Sequence, residues 1–254
     1  MLLVCDIGNT NIKAGIFADN KLTEFHFLPG ITPLLGLIKK NKFRDIVISS
    51  VVPSKTKHLA DNLHTLNLNP VIINNNSSFN LKIDYDSPET LGIDRICSAE
   101  GAYYLHSREK ELKKEQIIIS IDLGTASTLN VVKYPGIFAG GIIAPGADLM
   151  FRSLKNDTAQ LPNVSIDAYK NIIGRTTNES IASGVVHSAS GLIVSAIKLI
   201  QTETNAKEVF IYITGGNFEN IKRFLNFDYV YEKGLVLYGI NAIYKKNNRI
   251  NPHS

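Results

Sequence analysis

The sequence predicts an α/β protein built from two similar domains in tandem. Three observations lead there. Apolar runs of strand length alternate with helix-length stretches along the chain, the pattern of layered α/β folds. That pattern restarts near residue 116. An Asp-x-Gly motif closes the first apolar run of each half, in residues 4–10 (VCDIGNT) and again in residues 120–126 (SIDLGTA). Internal repeats decide architecture before any single element does. Two copies of a strand-rich unit with trailing helices imply two α/β domains facing each other, here 1–115 and 116–254.

The elements follow in order. Residues 2–7 form a continuous apolar run that ends at Gly8-Asn9-Thr10. Residues 11–17 alternate Ile12, Ala14 and Ile16 against Asn11, Lys13 and Gly15, and residues 21–28 alternate again. Strand, short Gly/Asn turn and strand make a hairpin signal. A helix over 32–40, a strand over 45–50, a helix over 54–66 behind Pro53 and a strand over 70–73 complete the series. A polar loop covers 74–78. In the second half the strands are 116–121, 129–133 and 137–143. A helix over 147–154 is followed by a longer one over 177–201, open to a break at Gly184 or Gly191. A strand over 209–214 stops at Gly215-Gly216, and a helix over 235–245 closes the pattern.

The bulk numbers exclude several classes. Hydrophobic residues make up 44% and charged residues 20%, which suits a soluble globular protein and not a disordered one. The net charge of +4 is small and spread out. Its densest piece, Lys245 and Lys246 with Arg249, reads as a solvated helix end and frayed tail, so no nucleic-acid partner is expected. Cys5 and Cys97 lack a CxxC partner or a neighbouring His cluster and read as small buried thiols. That usage fits a reducing cytosol, and the expected location is cytoplasmic. The opening MLLVCD carries an acid at Asp6 and is no signal peptide, and no run of 18 or more apolar residues occurs, so no membrane association is expected.

An Asp-x-Gly at a strand tip has specific chemistry available. The glycine permits a tight turn and close approach of a ligand to the backbone. Successive backbone N–H groups in such a turn form a concave anion site. Asn9, Thr10 and Thr125 add side-chain donors, and the aspartate can hold a cation or its waters. Two copies on facing domains make a phosphate clamp with carboxylates inside it, which is what phosphoryl transfer asks for. Other motifs for such chemistry are missing: there is no GxxxxGK[ST], no GxGxxG, no protein-kinase set, no GxSxG and no zinc-like His/Cys spacing.

Residues 6–13 (DIGNTNIK) resemble the first phosphate loop of type III pantothenate kinases. Residues 85–95 (YDSPETLGIDR) resemble the substrate segment of that family, and 122–128 (DLGTAST) its second phosphate loop. GGIIAPG (140–146), TAQLP (158–162), IGRTTNESIASG (173–184), TGG (214–216) and LVLYGI (235–240) follow in the family's order. The resemblance covers nearly the whole chain. It implies two ribonuclease-H-like domains of the actin-like ATPase kind with a nucleotide cleft between them. The implied reaction is phosphorylation of pantothenate by ATP at the start of coenzyme A biosynthesis.

By the same resemblance, Asp6, Ile7, Gly8, Asn9, Thr10, Asn11, Ile12, Lys13 and Thr125 bind the ATP phosphates. Asp94 is the general base. Tyr85, Gly92, Ile93 and Arg95 surround pantothenate, and Thr177 touches it. Asp122 holds a monovalent cation, K⁺ or NH₄⁺, and Mg²⁺ accompanies the ATP. The family implies a homodimer with the acceptor pocket near its interface. Two positions depart from the family pattern: Ile93 stands where alanine is usual, and Gly234 where aspartate or proline is typical. Thr177 also suits a plain helix cap, Lys13 a solvated strand lysine, Tyr85 core packing, and Asp94 the charge preference of a helix start. A kinase of the same fold for another acceptor such as a sugar, and a non-enzymatic accessory factor in gene regulation, are the competing functions.

Overall fold

The computed structural model describes residues 1–250, with the side chains of Arg249 and Ile250 and all of 251–254 outside the described residues. The elements run β1 (Leu2–Ile7), β2 (Ile12–Ala18), β3 (Lys21–Leu28), α1 (Ile31–Lys40), β4 (Asp45–Ser50), α2 (Pro53–Thr65), β5 (Val71–Ile73), β6 (Lys82–Ile83) and α3 (Ile93–Glu109). They continue with β7 (Gln116–Leu123), β8 (Ala126–Lys133), β9 (Ile137–Pro145), α4 (Ala147–Asn156), α5 (Thr177–Thr204), β10 (Glu208–Thr214), α6 (Phe218–Ile221), β11 (Val230–Tyr231) and α7 (Leu235–Ile250).

The repeat read from the sequence reappears as topology. The first sheet has the strand order β3-β2-β1-β4-β5. The second runs β11-β10-β7-β8-β9-β6, which from β9 to β11 is the same order with β6 added at one edge. In both sheets the Asp-x-Gly strand lies at the centre and pairs in parallel with the fourth strand, β1 with β4 and β7 with β10. Central strands are covered on both faces, and β1 and β7 accordingly read as continuous apolar runs.

The chain divides into two compact units. The first comprises 1–114, 131–140 and the described residues from 234 on; the second comprises 115–130 and 141–233. The units are therefore not two continuous stretches: α7 groups with the first. In the first unit Leu3, Cys5, Ile7, Ile12, Ile16, Leu34, Ile48, Leu59 and Leu63 form one core from three strands and two helices. In the second, Ala147, Phe151, Ile181, Ala182 and Val185 pack α4 onto α5.

Helix α5 runs unbroken through Gly184 and Gly191. Each glycine costs about 1 kcal/mol in a helix interior. Burial of Ile181, Val185, Val186, Ile193 and Ile197 outweighs that, at roughly 1.5–3 kcal/mol per large apolar side chain. Thr176 caps the start, its side chain accepting from the Glu179 N–H at 3.2 Å, and Asn205 in the left-handed conformation ends it. The cap is thus Thr176 and not Thr177. By length and composition α5 is also apolar enough to cross a membrane, yet 56% of its most apolar window is buried inside the protein. Lys245 and Lys246, read as a solvated end, instead donate to Asn20 Oδ1 and to the Phe79 carbonyl.

Candidate active site

The first unit places the first Asp-x-Gly loop at the tip of β1. Antiparallel register sets Asp6 opposite Lys13 and Ile7 opposite Ile12, so the opposite charges face each other on one side of the hairpin. Ile7 and Ile12 are fully buried in the core, which leaves only their backbone for a ligand. Gly8 N–H closes the turn onto the Asn11 carbonyl at 3.0 Å. Asn9 and Thr10 are exposed at the tip. Behind the loop the Ile7 carbonyl accepts from Val51 N–H at 3.3 Å. Lys55 Nζ donates to the Gly8 carbonyl at 3.0 Å and to the Asn9 carbonyl at 2.7 Å. Lys55 belongs to no sequence motif, and only its place in the first turn of α2 marks it.

Asp94 lies in the first turn of α3, with Oδ1 accepting from the Arg95 N–H at 2.9 Å. Arg95 is 5% exposed. Its guanidinium carbon sits 5.8 Å from the Tyr85 ring centre and 5.7 Å from that of Phe138. The two rings meet edge to face at 6.2 Å. This cation–π clamp fixes the arginine in a desolvated place. Phe138 escaped sequence reasoning because it lies on β9, far along the chain, in an ordinary apolar run. Pairing of Lys82 with Ile137 and Ile83 with Phe138 brings it beside Tyr85. Ile93 is buried at the start of α3 and takes a core position.

Cys97 is buried on the same helix as Asp94. Burial pushes the Cys97 thiol well above its ordinary range, and the charges of Asp6, Glu100 and Asp94 push the same way, while its hydrogen bond with Ser49 at 3.7 Å opposes them. Glu100 holds the approach to Tyr85 in place: its oxygens accept from Leu81 N–H at 2.8 Å and Asn80 Nδ2 at 2.9 Å. Burial raises the Glu100 pKa against those bonds. Helix α3 is itself fixed by α7. A Cβ on Gly101 would overlap the Leu235 carbonyl, and one on Gly239 would overlap that of Cys97, so the two backbones touch.

The second unit repeats the loop design. Asp122 is half-buried at the end of β7, and Thr125 is exposed at the tip. The Leu123 carbonyl accepts from Asn217 N–H at 3.0 Å, the Gly124 carbonyl from Asn217 Nδ2 at 3.1 Å, and the Thr125 carbonyl from Gly146 N–H at 2.9 Å. Gly215 adopts φ +107°, and any Cβ there would run into the Leu123 backbone. Asn217, like Lys55, acts on backbone carbonyls and carries no motif of its own. Thr177 is exposed in this unit and borders a groove of about 570 Å³ between α4 and α5, with Met150, Leu154, Ile181 and Gly184.

Two units of one strand order, each with an Asp-x-Gly turn at its central strand, define the actin-like ATPase class of α/β proteins. Solved structures share this fold. The activator of the 2-hydroxyisocaproyl-CoA dehydratase from Clostridium difficile, with bound ADPNP, superposes with a TM-score of 0.53 at 13% identity, over 100% of this chain and 98% of that one. The component A of the Acidaminococcus fermentans (R)-2-hydroxyglutaryl-CoA dehydratase gives 0.55 at 13% identity, over 97% and 98%. The family model for type III pantothenate kinase matches residues 2–199. The type III pantothenate kinase of Agathobacter rectalis is 31% identical over 264 residues, 98% of each chain. That of Persephonella marina is 34% identical over 263 residues, 96% of this chain and 98% of its own. The chain belongs to the type III pantothenate kinase family.

Proposed function

We propose that this chain transfers the γ-phosphoryl group of ATP to the primary hydroxyl of pantothenate, giving 4'-phosphopantothenate, the first step of coenzyme A biosynthesis. The observation that carries the reading is membership of the family, with Asp94 of the family motif set in the first turn of α3 and its Oδ1 on the Arg95 N–H. Phosphoryl transfer needs positioning and charge neutralisation more than covalent help. The loop from Asp6 to Lys13 and Thr125 hold the phosphates, with Ile7 and Ile12 contributing backbone only. Asp94 accepts the hydroxyl proton as the oxygen attacks phosphorus. Arg95, clamped between Tyr85 and Phe138, offers a fixed cation to the acceptor's carboxylate. Tyr85 and Gly92 complete that side of the acceptor site.

As an ATP-using kinase the protein works with a divalent metal, Mg²⁺. Among the described residues no group of three or more His, Cys, Asp or Glu forms a closed cage. Asp6 and Asp122 each offer one hard-oxygen carboxylate, which fits a cation carried mainly by phosphate oxygens and waters. Asp122 would hold K⁺ or NH₄⁺, relieving repulsion between its carboxylate and bound phosphates.

The protein acts as a cytoplasmic homodimer in this reading. Gly184, Ser188, Gly191 and Ser195 form an exposed stripe of small residues along α5, on which another helix can approach closely. Ala182 and Ala189, small residues of the same helix, are core residues. Thr177 lies at the N-terminal end of the same helix, which suits a substrate contact near such an interface. The test is phosphopantothenate formation from pantothenate and ATP, with and without potassium, against a panel of other acceptors. Faster ATP consumption with a sugar than with pantothenate would reassign the acceptor.

A further inference from the structure

The two Asp-x-Gly loops are latched from behind at matching atoms, but by different chemistry. Aligning the motifs sets Ile7, Gly8 and Asn9 against Leu123, Gly124 and Thr125. The second loop's carbonyls are held by neutral amides of Asn217 and Gly146. In the first loop a single ammonium, Lys55 Nζ, takes the two equivalent positions at Gly8 and Asn9.

We propose that Lys55 is a positioning residue of the ATP site: it sets the first phosphate loop in its anion-binding form and places a positive charge directly behind it. The proposal rests on reading residues 6–13 as an ATP phosphate loop. The Gly8–Asn9 and Asn9–Thr10 peptides are trans. In a trans peptide the C=O and N–H point in opposite directions. Turning the Gly8 and Asn9 carbonyls onto Lys55 therefore turns the N–H groups of Asn9 and Thr10 to the other face. Successive N–H groups on one face are what a phosphate oxygen binds. The bonds to Lys55 are charge-assisted, which also polarises those amides toward an anion.

The location of Lys55 supports a role outside its own helix. It is the third residue of α2, whose first turn contains no acid. A lysine there works against the helix dipole, so local helix preference does not explain it. Dipole and ammonium together add positive potential behind the loop, across it from the face where the phosphates are proposed to bind. Lys55 touches neither substrate in this account; it acts through the peptides of Gly8 and Asn9.

The experiment compares Lys55→Met, which keeps the stem without the charge, and Lys55→Arg with wild type. Calorimetry with MgATP, steady-state kinetics on both substrates and thermal melting are read together. In Lys55→Met, Kd and KM for ATP should rise roughly tenfold, the scale of a lost charge-assisted bond pair. KM for pantothenate should stay within about twofold, since ATP alone meets the loop. Lys55→Arg should recover most of the ATP affinity. Thr10→Ala and Asp6→Asn serve as lesions in the loop itself. If they leave ATP affinity at wild-type level, the phosphate-loop reading fails and takes this proposal with it. If they weaken ATP while Lys55→Met does not, the loop stands and Lys55 has no part in it. Equal loss of affinity for both substrates with a lowered melting temperature makes Lys55 a scaffold residue and overturns the proposal.

Discussion

A Cβ added to Gly92 would overlap Oδ1 of Asp94. Gly92 itself has φ −59° and ψ 129°, a conformation open to any residue. The glycine is therefore required for room, not for backbone freedom: it lets the carboxylate fold back beside the start of α3.

This relationship makes the proposed base testable at two positions. Asp94→Asn should lower kcat roughly 10²–10⁴-fold, the usual share of a general base, with ATP binding unchanged. Gly92→Ala should displace the carboxylate without removing it and cost roughly 10–10²-fold in kcat. Its melting temperature should match wild type. A kcat for Asp94→Asn within about threefold of wild type would falsify the assignment, since it lies far below that range.

Arg95→Lys should not behave as a conservative change. Lysine keeps the charge but loses the planar guanidinium whose carbon sits over Tyr85 and Phe138. KM for pantothenate should rise roughly tenfold, with the unfolding midpoint in urea lowered by loss of about 1 kcal/mol or more of desolvated cation–π contact. Arg95→Lys kinetics equal to wild type would separate Arg95 from the acceptor.

Potassium should activate the enzyme through Asp122. Exchange of potassium for sodium should slow wild type markedly and Asp122→Asn much less, because the variant no longer sets a carboxylate against phosphate charge. Wild-type activity that is equal in the two salts would leave Asp122 without this role.

Light scattering at micromolar concentration should give the mass of a dimer. Gly184→Arg, on the exposed stripe of α5, should give a monomer that keeps its melting cooperativity. At Gly184 nothing of the protein's own packing stands within 4 Å of an added Cβ, so the fold tolerates the change. A monomeric wild type would end the dimer proposal.

Glu100 predicts a pH dependence of stability with a definite sign. Its folded pKa is raised, so the folded state holds the proton more tightly than the unfolded chain does. The stability this contributes is present below the unfolded glutamate pKa and is lost as pH rises through the raised value. Glu100→Gln removes that titration. The melting temperature of the variant relative to wild type should therefore climb as pH goes from about 4 to 7. A difference independent of pH would mean that Glu100 does not titrate there.

Much of this was legible before any coordinates. Asp-x-Gly at the end of an apolar run states its own geometry, because a central strand must be apolar and a phosphate turn must be small and polar. The repeat therefore predicted the shared strand order. What stayed hidden acts across sequence distance or through the backbone. Phe138 is one apolar residue among many until β6 pairs with β9. Lys55 and Asn217 bind carbonyls, which every residue has, so no spacing rule exposes them. The sequence of α5 does not show which of its small residues face outward. Ala182 and Ala189 turned inward, and Gly184 and Gly191 outward. Lys245 and Lys246 were misread for a related reason, since their partners Asn20 and Phe79 lie in distant parts of the chain.

The backbone crossing of Gly101 with Gly239 has a consequence for biogenesis. The helix that carries Asp94 is made well before the helix it rests on. At roughly 5–20 residues per second, synthesis of the intervening chain lasts on the order of ten seconds. During that time α3 lacks its close backbone contact at Gly101, while the second unit, whose chain is complete sooner, can already close. The first unit is thus completed after the second. The newborn chain must hold α3 without its α7 contact until α7 arrives, and a nonsense mutation just before Gly234 would spare the second unit while leaving α3 permanently without that support.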